Sequence, residues 1–146
     1  MKKVLILTEK RSVNSHISKA LKNVSDDITI TEISGHIYTT DEPFVVPYCE
    51  MKSLKAIMLK NYEKGYIRGE PLIKENIKKI ERMLSENNFD IIVNACDNDK
   101  NGKALFSFAC DLLNISEQDT VSIELSDLQE NYIYNQYLNV CALKEG

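Results

Sequence analysis

Four stretches of the chain have the apolar pattern of β-strands. Residues 3–8 (KVLILT) and 89–95 (FDIIVNA) are short aliphatic runs, as expected of strands buried in a sheet. Residues 28–33 (ITITEI) alternate apolar and polar side chains, which predicts a half-covered strand. Residues 120–125 are a fourth candidate.

Apolar residues spaced three and four apart predict helices between these strands. The predicted helices cover residues 13–23 with Ser12 as the cap, 51–64, 72–86, 102–113, and a last one from a Ser126 cap to about 138. Residues 39–49, which include Pro43 and Pro47, are predicted to be a loop. Strands that alternate with helices indicate an α/β fold with a mostly parallel sheet of about four strands, flanked by helices.

Length and composition are those of a single soluble domain, spanning residues 1–146. The apolar runs are too short to cross a bilayer and no secretory signal opens the chain, so we expect a cytoplasmic protein without a membrane partner. Cys96 and Cys110 lie in apolar stretches and are expected to be reduced and buried.

Charge is unevenly distributed along the chain. Residues 51–84 hold nine Lys or Arg and four Glu, whereas residues 111–135 hold six acidic residues and no Lys or Arg. The basic segment is either a nucleic-acid-binding face or a set of solvated helix surfaces, and the net charge of −4 does not distinguish these.

Three acidic residues follow two of the predicted strands. Glu9 comes just after the first strand, and Asp97 and Asp99 come just after residues 89–95. In parallel sheets ligands bind at the carboxyl ends of the strands, so neighbouring strands would bring these three carboxylates together. Two carboxylates about 5 Å apart repel by roughly 3 kcal/mol, and a divalent cation such as Mg²⁺ would offset that repulsion. The alternative is a polar turn, DNDKNG, that caps a helix.

Three segments resemble the Toprim domain of type IA DNA topoisomerases, in particular those of the topoisomerase III kind. LTEKRSVNSHISKAL at 7–21 resembles the family pattern A-E-K-P-S-V-A-x-x-I-A-x-A-L, and ISGHIYTTDEP at 33–43 resembles the family's G-H-[IL] segment. VNACDNDKNGKALF at 93–106 resembles N-A-[CT]-D-x-D-R-E-G-E-L-I-F, and VSIELSDLQENYI at 121–133 falls where the family has a closing strand and helix. The likeness covers nearly the whole chain in order.

The resemblance implies a Toprim fold and roles for five residues. Glu9, Asp97 and Asp99 match the family's Mg²⁺-binding and acid/base residues. Lys10 matches a lysine that stabilises charge at the scissile phosphate, and His36 matches a histidine near the cleavage site. The implied partners are DNA, single-stranded DNA in particular, and the remaining topoisomerase domains.

Departures from the family pattern leave the function open. Asn101 stands where the pattern has its third acid, and Lys103 reverses a nearby charge, which predicts weak metal binding or a degenerate site. The family cuts DNA with a tyrosine in a later domain, and no tyrosine here lies in such a motif, so we expect the isolated chain not to relax DNA. The chain is then the first part of a topoisomerase, a stand-alone Toprim nuclease or primase-like enzyme, or a non-catalytic Toprim binding module.

Overall fold

Four parallel strands form one sheet in the computed structural model, which describes residues 1–33, 55–56, 59 and 70–145. The strands are β1 (Lys3–Thr8), β2 (Asp27–Glu32), β3 (Ile91–Ala95) and β4 (Thr120–Ser122), in the order β2-β1-β3-β4. The helices α1 (Arg11–Ala20), α2 (Glu70–Glu86), α3 (Lys100–Leu113) and α4 (Glu130–Glu145) flank this sheet. The predicted α/β class with a parallel sheet of about four strands is confirmed.

Strand β1 lies in the middle of the described sheet and explains the first aliphatic run. It pairs with β2 on one side and β3 on the other, and residues 4–8 are all buried. Since both faces of such a strand are covered, a continuous apolar run is the pattern it requires. The sheet separates two apolar cores: α2 and α3 cover the face with Leu5 and Leu7, and α1 and α4 cover the face with Val4 and Ile6.

The two helix starts that were predicted from a capping serine, Ser12 and Ser126, were wrong. Helix α1 begins at Arg11, so Ser12 lies inside its first turn, and Lys10 at the cap position makes no side-chain capping bond. Helix α4 begins at Glu130, after a local turn in which Asp127 Oδ1 accepts a hydrogen bond from the Gln129 backbone N–H at 2.9 Å. The predicted Ser126 cap is therefore also wrong, and α4 continues to Glu145 rather than ending near 138.

The other element boundaries differ from prediction by a few residues. Helix α2 starts two residues before the predicted 72, with Pro71 in its first turn, where the missing N–H of proline has no helical acceptor. Strand β4 is shorter than predicted and ends at Ser122. The predicted loop at 39–49 and most of the predicted helix at 51–64 lie outside the described residues.

The last helix is tied to the start of the chain through a buried tyrosine. Tyr137 is 1% exposed, and its hydroxyl donates to Asp26 Oδ2 at 2.7 Å. The other carboxylate oxygen of Asp26 accepts from the backbone N–H of Lys2 at 3.1 Å. Tyr137 is therefore a core residue of α4. None of the helices within the described ranges has both the length and the apolar character needed to cross a membrane.

Candidate functional site

Glu9 and Asp97 meet at the carboxyl edge of the sheet, as the sequence predicted. Thr8, the last residue of β1, is opposite Ala95, the last residue of β3, in the parallel pairing of these neighbouring strands. Glu9 is the next residue after Thr8, and Asp97 follows Ala95 by two residues. The two carboxyl groups are close enough to share a hydrogen bond.

The environment of Glu9 favours its protonated form. Burial raises the pKa of this carboxyl from 4.5 to about 7, and the negative charges of Asp97 and Asp99 and the hydrogen bond that protonated Glu9 donates to Asp97 add to the increase. Lys10 acts in the opposite direction. Glu9 is 8% exposed, and its Oε1 is buried without a hydrogen-bond partner among the described residues. A buried carboxyl oxygen without a partner is unusual and is often explained by an ion or water.

Asp99 caps helix α3 at the same edge of the sheet. It occupies the N-cap position of α3, and its Oδ1 accepts a hydrogen bond from the Gly102 backbone N–H at 2.7 Å. The interpretation of this segment as a helix-capping turn is therefore correct for Asp99. Its charge also raises the pKa of Glu9. Within the described ranges, no three His, Cys, Asp or Glu side chains are grouped closely enough to be a metal site.

Gly102 allows the start of α3 to approach the loop that carries Asp97. A Cβ atom at position 102 would lie 2.0 Å from the backbone oxygen of Asp97 and 2.8 Å from its carbonyl carbon. Both atoms belong to the backbone, so no side-chain rotation could relieve this clash. Only glycine fits here, and this close packing fixes Asp97 between the end of β3 and the first turn of α3.

The structure describes part of the basic residues that the sequence singled out. Lys10 and Arg11 are both exposed at the start of α1. In the basic segment 51–84, Lys78, Lys79 and Arg82 are exposed on α2, whereas Lys55 pairs with Asp111 of α3 at 2.9 Å. His36, predicted to lie near the cleavage site, is outside the described residues.

Three polar residues near the end of β1 were not predicted from the sequence. The hydroxyl of Thr8 donates to Asn14 Oδ1 at 2.6 Å, and Asn14 Nδ2 donates to Glu32 Oε2 at 3.0 Å. These residues come from β1, α1 and β2, and they are 6 and 18 positions apart. The alternation of β2 could have indicated them, since it places Glu32 on the same face of the sheet as Ile28 and Ile30, which pack against the core under α1.

The environment of Cys96, which precedes Asp97, indicates that this cysteine has a structural role. Both Cys96 and Cys110 are buried free thiols, as predicted. Burial raises the pKa of Cys96 well above its ordinary value, and the nearby charge of Glu9 adds to this effect. A thiol held in its protonated form is a poor nucleophile, so Cys96 acts as a small apolar residue behind the carboxylates.

Comparison of the chain with models of protein families gives no match, and comparison with curated proteins gives none either.

Proposed function

We propose that this chain is the Toprim module of a type IA, topoisomerase III-like DNA topoisomerase, and that it acts in DNA strand cleavage and rejoining with a tyrosine supplied by another domain. The observation that carries the proposal is the pair of Glu9 and Asp97 at the carboxyl edge, with a buried oxygen of Glu9 that has no hydrogen-bond partner among the described residues. The motif resemblance supports it, and so does Gly102, because the glycine of the family motif falls where a Cβ would clash.

The acidic residues fit a divalent cation of the Mg²⁺ type. Mg²⁺ is commonly held by one or two carboxylates and completes its coordination with water and phosphate. Glu9 and Asp97 would provide those carboxylates, and Asp99 would add negative charge while its Oδ1 caps α3. When bound, the cation would supply compensation for the negative charge of the DNA phosphate.

The side chains of the site would transfer a proton, bind the phosphate and position the acid. While no cation is bound to Glu9, its pKa is close to neutral, so this residue can hold a proton and donate it to the leaving 3′ oxygen of the DNA; the carboxylate that remains would then be a ligand for the cation. Lys10, exposed next to Glu9, can bind a phosphate oxygen and stabilise its charge. Asp97 keeps the carboxyl of Glu9 in place through their hydrogen bond. The attacking tyrosine belongs to the other domain, so this chain alone would bind DNA without relaxing it.

A second candidate is a non-catalytic Toprim module that binds DNA or protein. It is favoured by Asp99, which is engaged in capping α3, and by Asn101, which is uncharged at the third acidic position of the motif. Such a module would keep the fold and the exposed basic residues at the start of α1 without a functional metal site.

Titration calorimetry with Mn²⁺, combined with a single-stranded oligonucleotide assay, tests the proposal. The parent is expected to bind one Mn²⁺, and Glu9→Gln and Asp97→Asn are expected to weaken that binding by at least about tenfold, since each removes a carboxylate ligand. Glu81→Gln, at an exposed position of α2, is the matched control. The oligonucleotide should be bound and remain uncut in Mg²⁺.

The alternatives give different results in the same two assays. Cleavage of the oligonucleotide that is lost in Glu9→Gln would show a stand-alone nuclease instead. A parent that binds DNA but no Mn²⁺ would show the non-catalytic module.

A further inference from the structure

Three side chains form a hydrogen-bonded chain at the carboxyl edge of the sheet, on the face covered by α1. Thr8 donates to Asn14 at 2.6 Å, and Asn14 donates to Glu32 at 3.0 Å. We call this set, Thr8, Asn14 and Glu32, the Asn14 clamp. Thr8 is fully buried and the other two residues are half-buried, so part of the clamp is shielded from competing water.

The chemistry of the clamp requires an amide at position 14. A carboxylate accepts hydrogen bonds only, so Glu32 must face the NH₂ group of Asn14, which leaves Oδ1 to accept from Thr8. Aspartate at this position would place a second carboxylate against Glu32, and alanine would leave both partners without their bonds. Of asparagine, aspartate and alanine, only asparagine can form hydrogen bonds with both Thr8 and Glu32.

The clamp holds the turn that carries the candidate site residues Glu9 and Lys10. Helix α1 has no side-chain cap, so its first turn is not fixed in the usual way. Asn14 lies one turn into the helix and links it to β1 through Thr8 and to β2 through Glu32. The hydroxyl of Thr8 also lies 3.5 Å from the backbone oxygen of Lys10, which in turn accepts from the Val13 N–H at 3.2 Å.

The clamp does not come from the family pattern that this chain resembles. In that pattern, alanine stands at the positions of both Thr8 and Asn14. Here the two positions hold a donor and an acceptor 2.6 Å apart. The hydrogen bonds of the clamp are therefore made by residues of this chain that the family pattern does not contain.

We propose that Asn14 is a positioning residue that fixes the turn between β1 and α1, and through it the placement of Glu9 and Lys10. The effect of this placement on activity rests on the proposed function of the site. The fixing of the turn by Asn14 does not depend on that function. Asn14 acts through the two backbone segments it connects and needs no contact with a substrate.

Hydrogen exchange of single backbone amides in the metal-free protein tests the placement. Two hydrogen bonds at opposite ends of α1 serve as probes: Val13 N–H to Lys10 O at 3.2 Å, and Leu21 N–H to Ile17 O at 3.0 Å. In Asn14→Ala, exchange at Val13 is expected to accelerate by about tenfold more than exchange at Leu21. A residue that merely adds to overall stability would accelerate both amides equally, which would overturn the proposal.

Two further variants test the chemistry of the clamp. Glu32→Gln keeps an acceptor for Asn14 and should leave the ratio of the two exchange rates near the parent value, whereas Glu32→Ala should change it as Asn14→Ala does. Ser15→Ala, at an exposed position of the same helix, is the matched control and should leave the ratio unchanged. A change of equal size in Glu32→Gln and Glu32→Ala would contradict the role of the acceptor.

Binding of Mn²⁺ separates this proposal from the proposed function. If the parent binds Mn²⁺, Asn14→Ala should weaken that binding by about tenfold at a temperature where it is fully folded. Unchanged affinity, together with altered exchange at Val13, would show that the clamp does not reach Glu9, and would overturn the proposal. If the parent binds no Mn²⁺, the metal site fails, and the exchange ratio alone still decides whether Asn14 fixes the turn.

Discussion

Replacing Glu9 by glutamine should stabilise the metal-free protein at high pH and have little effect at low pH. The folded state raises the pKa of Glu9 from 4.5 to about 7, so the folded protein binds the proton more tightly than the unfolded chain does. The stability that this proton contributes is present below pH 4.5 and is lost as the pH rises through 7. Glutamine resembles the protonated acid and stays neutral at every pH, so it should not show this loss.

The size of the effect follows from the pKa difference. Each unit is worth about 1.4 kcal/mol, so a pKa of about 7 in place of 4.5 corresponds to about 3 kcal/mol above neutral pH. For a chain of this size the corresponding difference in melting temperature is roughly 6–12 °C.

Urea unfolding at pH 4.5 and pH 8.5, with chelator present, measures this difference. The free energy of unfolding of Glu9→Gln should be close to that of the parent at pH 4.5 and higher at pH 8.5, while Glu81→Gln should show no such dependence. Saturating Mg²⁺ at pH 8.5 should reverse the order, because the parent retains the carboxylate that binds the cation and gains stability from it. An equal effect of Glu9→Gln at both pH values would refute the assignment of a buried, charge-coupled carboxyl at this position.

Three further predictions concern the neighbours of Glu9. Asn101→Glu should lower the melting temperature without metal and enlarge the increase produced by Mg²⁺, because it adds a carboxylate close to Asp97 and Asp99; an increase no larger than that of the parent would show that position 101 does not face the site. Gly102→Ala should destabilise the fold by about 1–3 kcal/mol in urea unfolding although alanine favours helices, since its Cβ would meet the Asp97 backbone, and a neutral or stabilising result would contradict that packing. Single-stranded DNA binding, measured by fluorescence anisotropy, should weaken steeply with salt, and Lys10→Ala with Arg11→Ala should reduce the salt dependence; an affinity independent of salt would exclude phosphate contacts.

Sequence patterns were sufficient for the sheet because burial determines them directly. The aliphatic runs at residues 4–7 and 91–93 are apolar because β1 and β3 are covered on both faces. The same logic placed Glu9 and Asp97 together, since parallel neighbours end at one edge. In each case the pattern and the structure share a single cause, the burial of one strand face or both.

Helix starts and long-range polar contacts could not be predicted from such patterns. Ser12 and Lys10 are equally near the start of α1, and the helix begins at Arg11 although Lys10 at the cap position makes no side-chain capping bond. Asp26 and Tyr137 are 111 positions apart, and their hydrogen bond requires α4 to pack against the sheet. Contacts of this kind follow from the packing of several elements, so no local window of sequence contains them.

The central place of β1 has a consequence for how the protein is made. Residues 3–8 leave the ribosome before the other strands of the described sheet, and β2 can join them soon afterwards, but β3 ends only at Ala95. At about 5–20 residues per second, roughly 4–17 s pass between the synthesis of Thr8 and that of Ala95. During this interval the most apolar strand of the described sheet has one open edge, a template for pairing with another nascent chain. Slow translation between residues 33 and 90 would prolong that exposure, and faster translation there should raise the soluble yield.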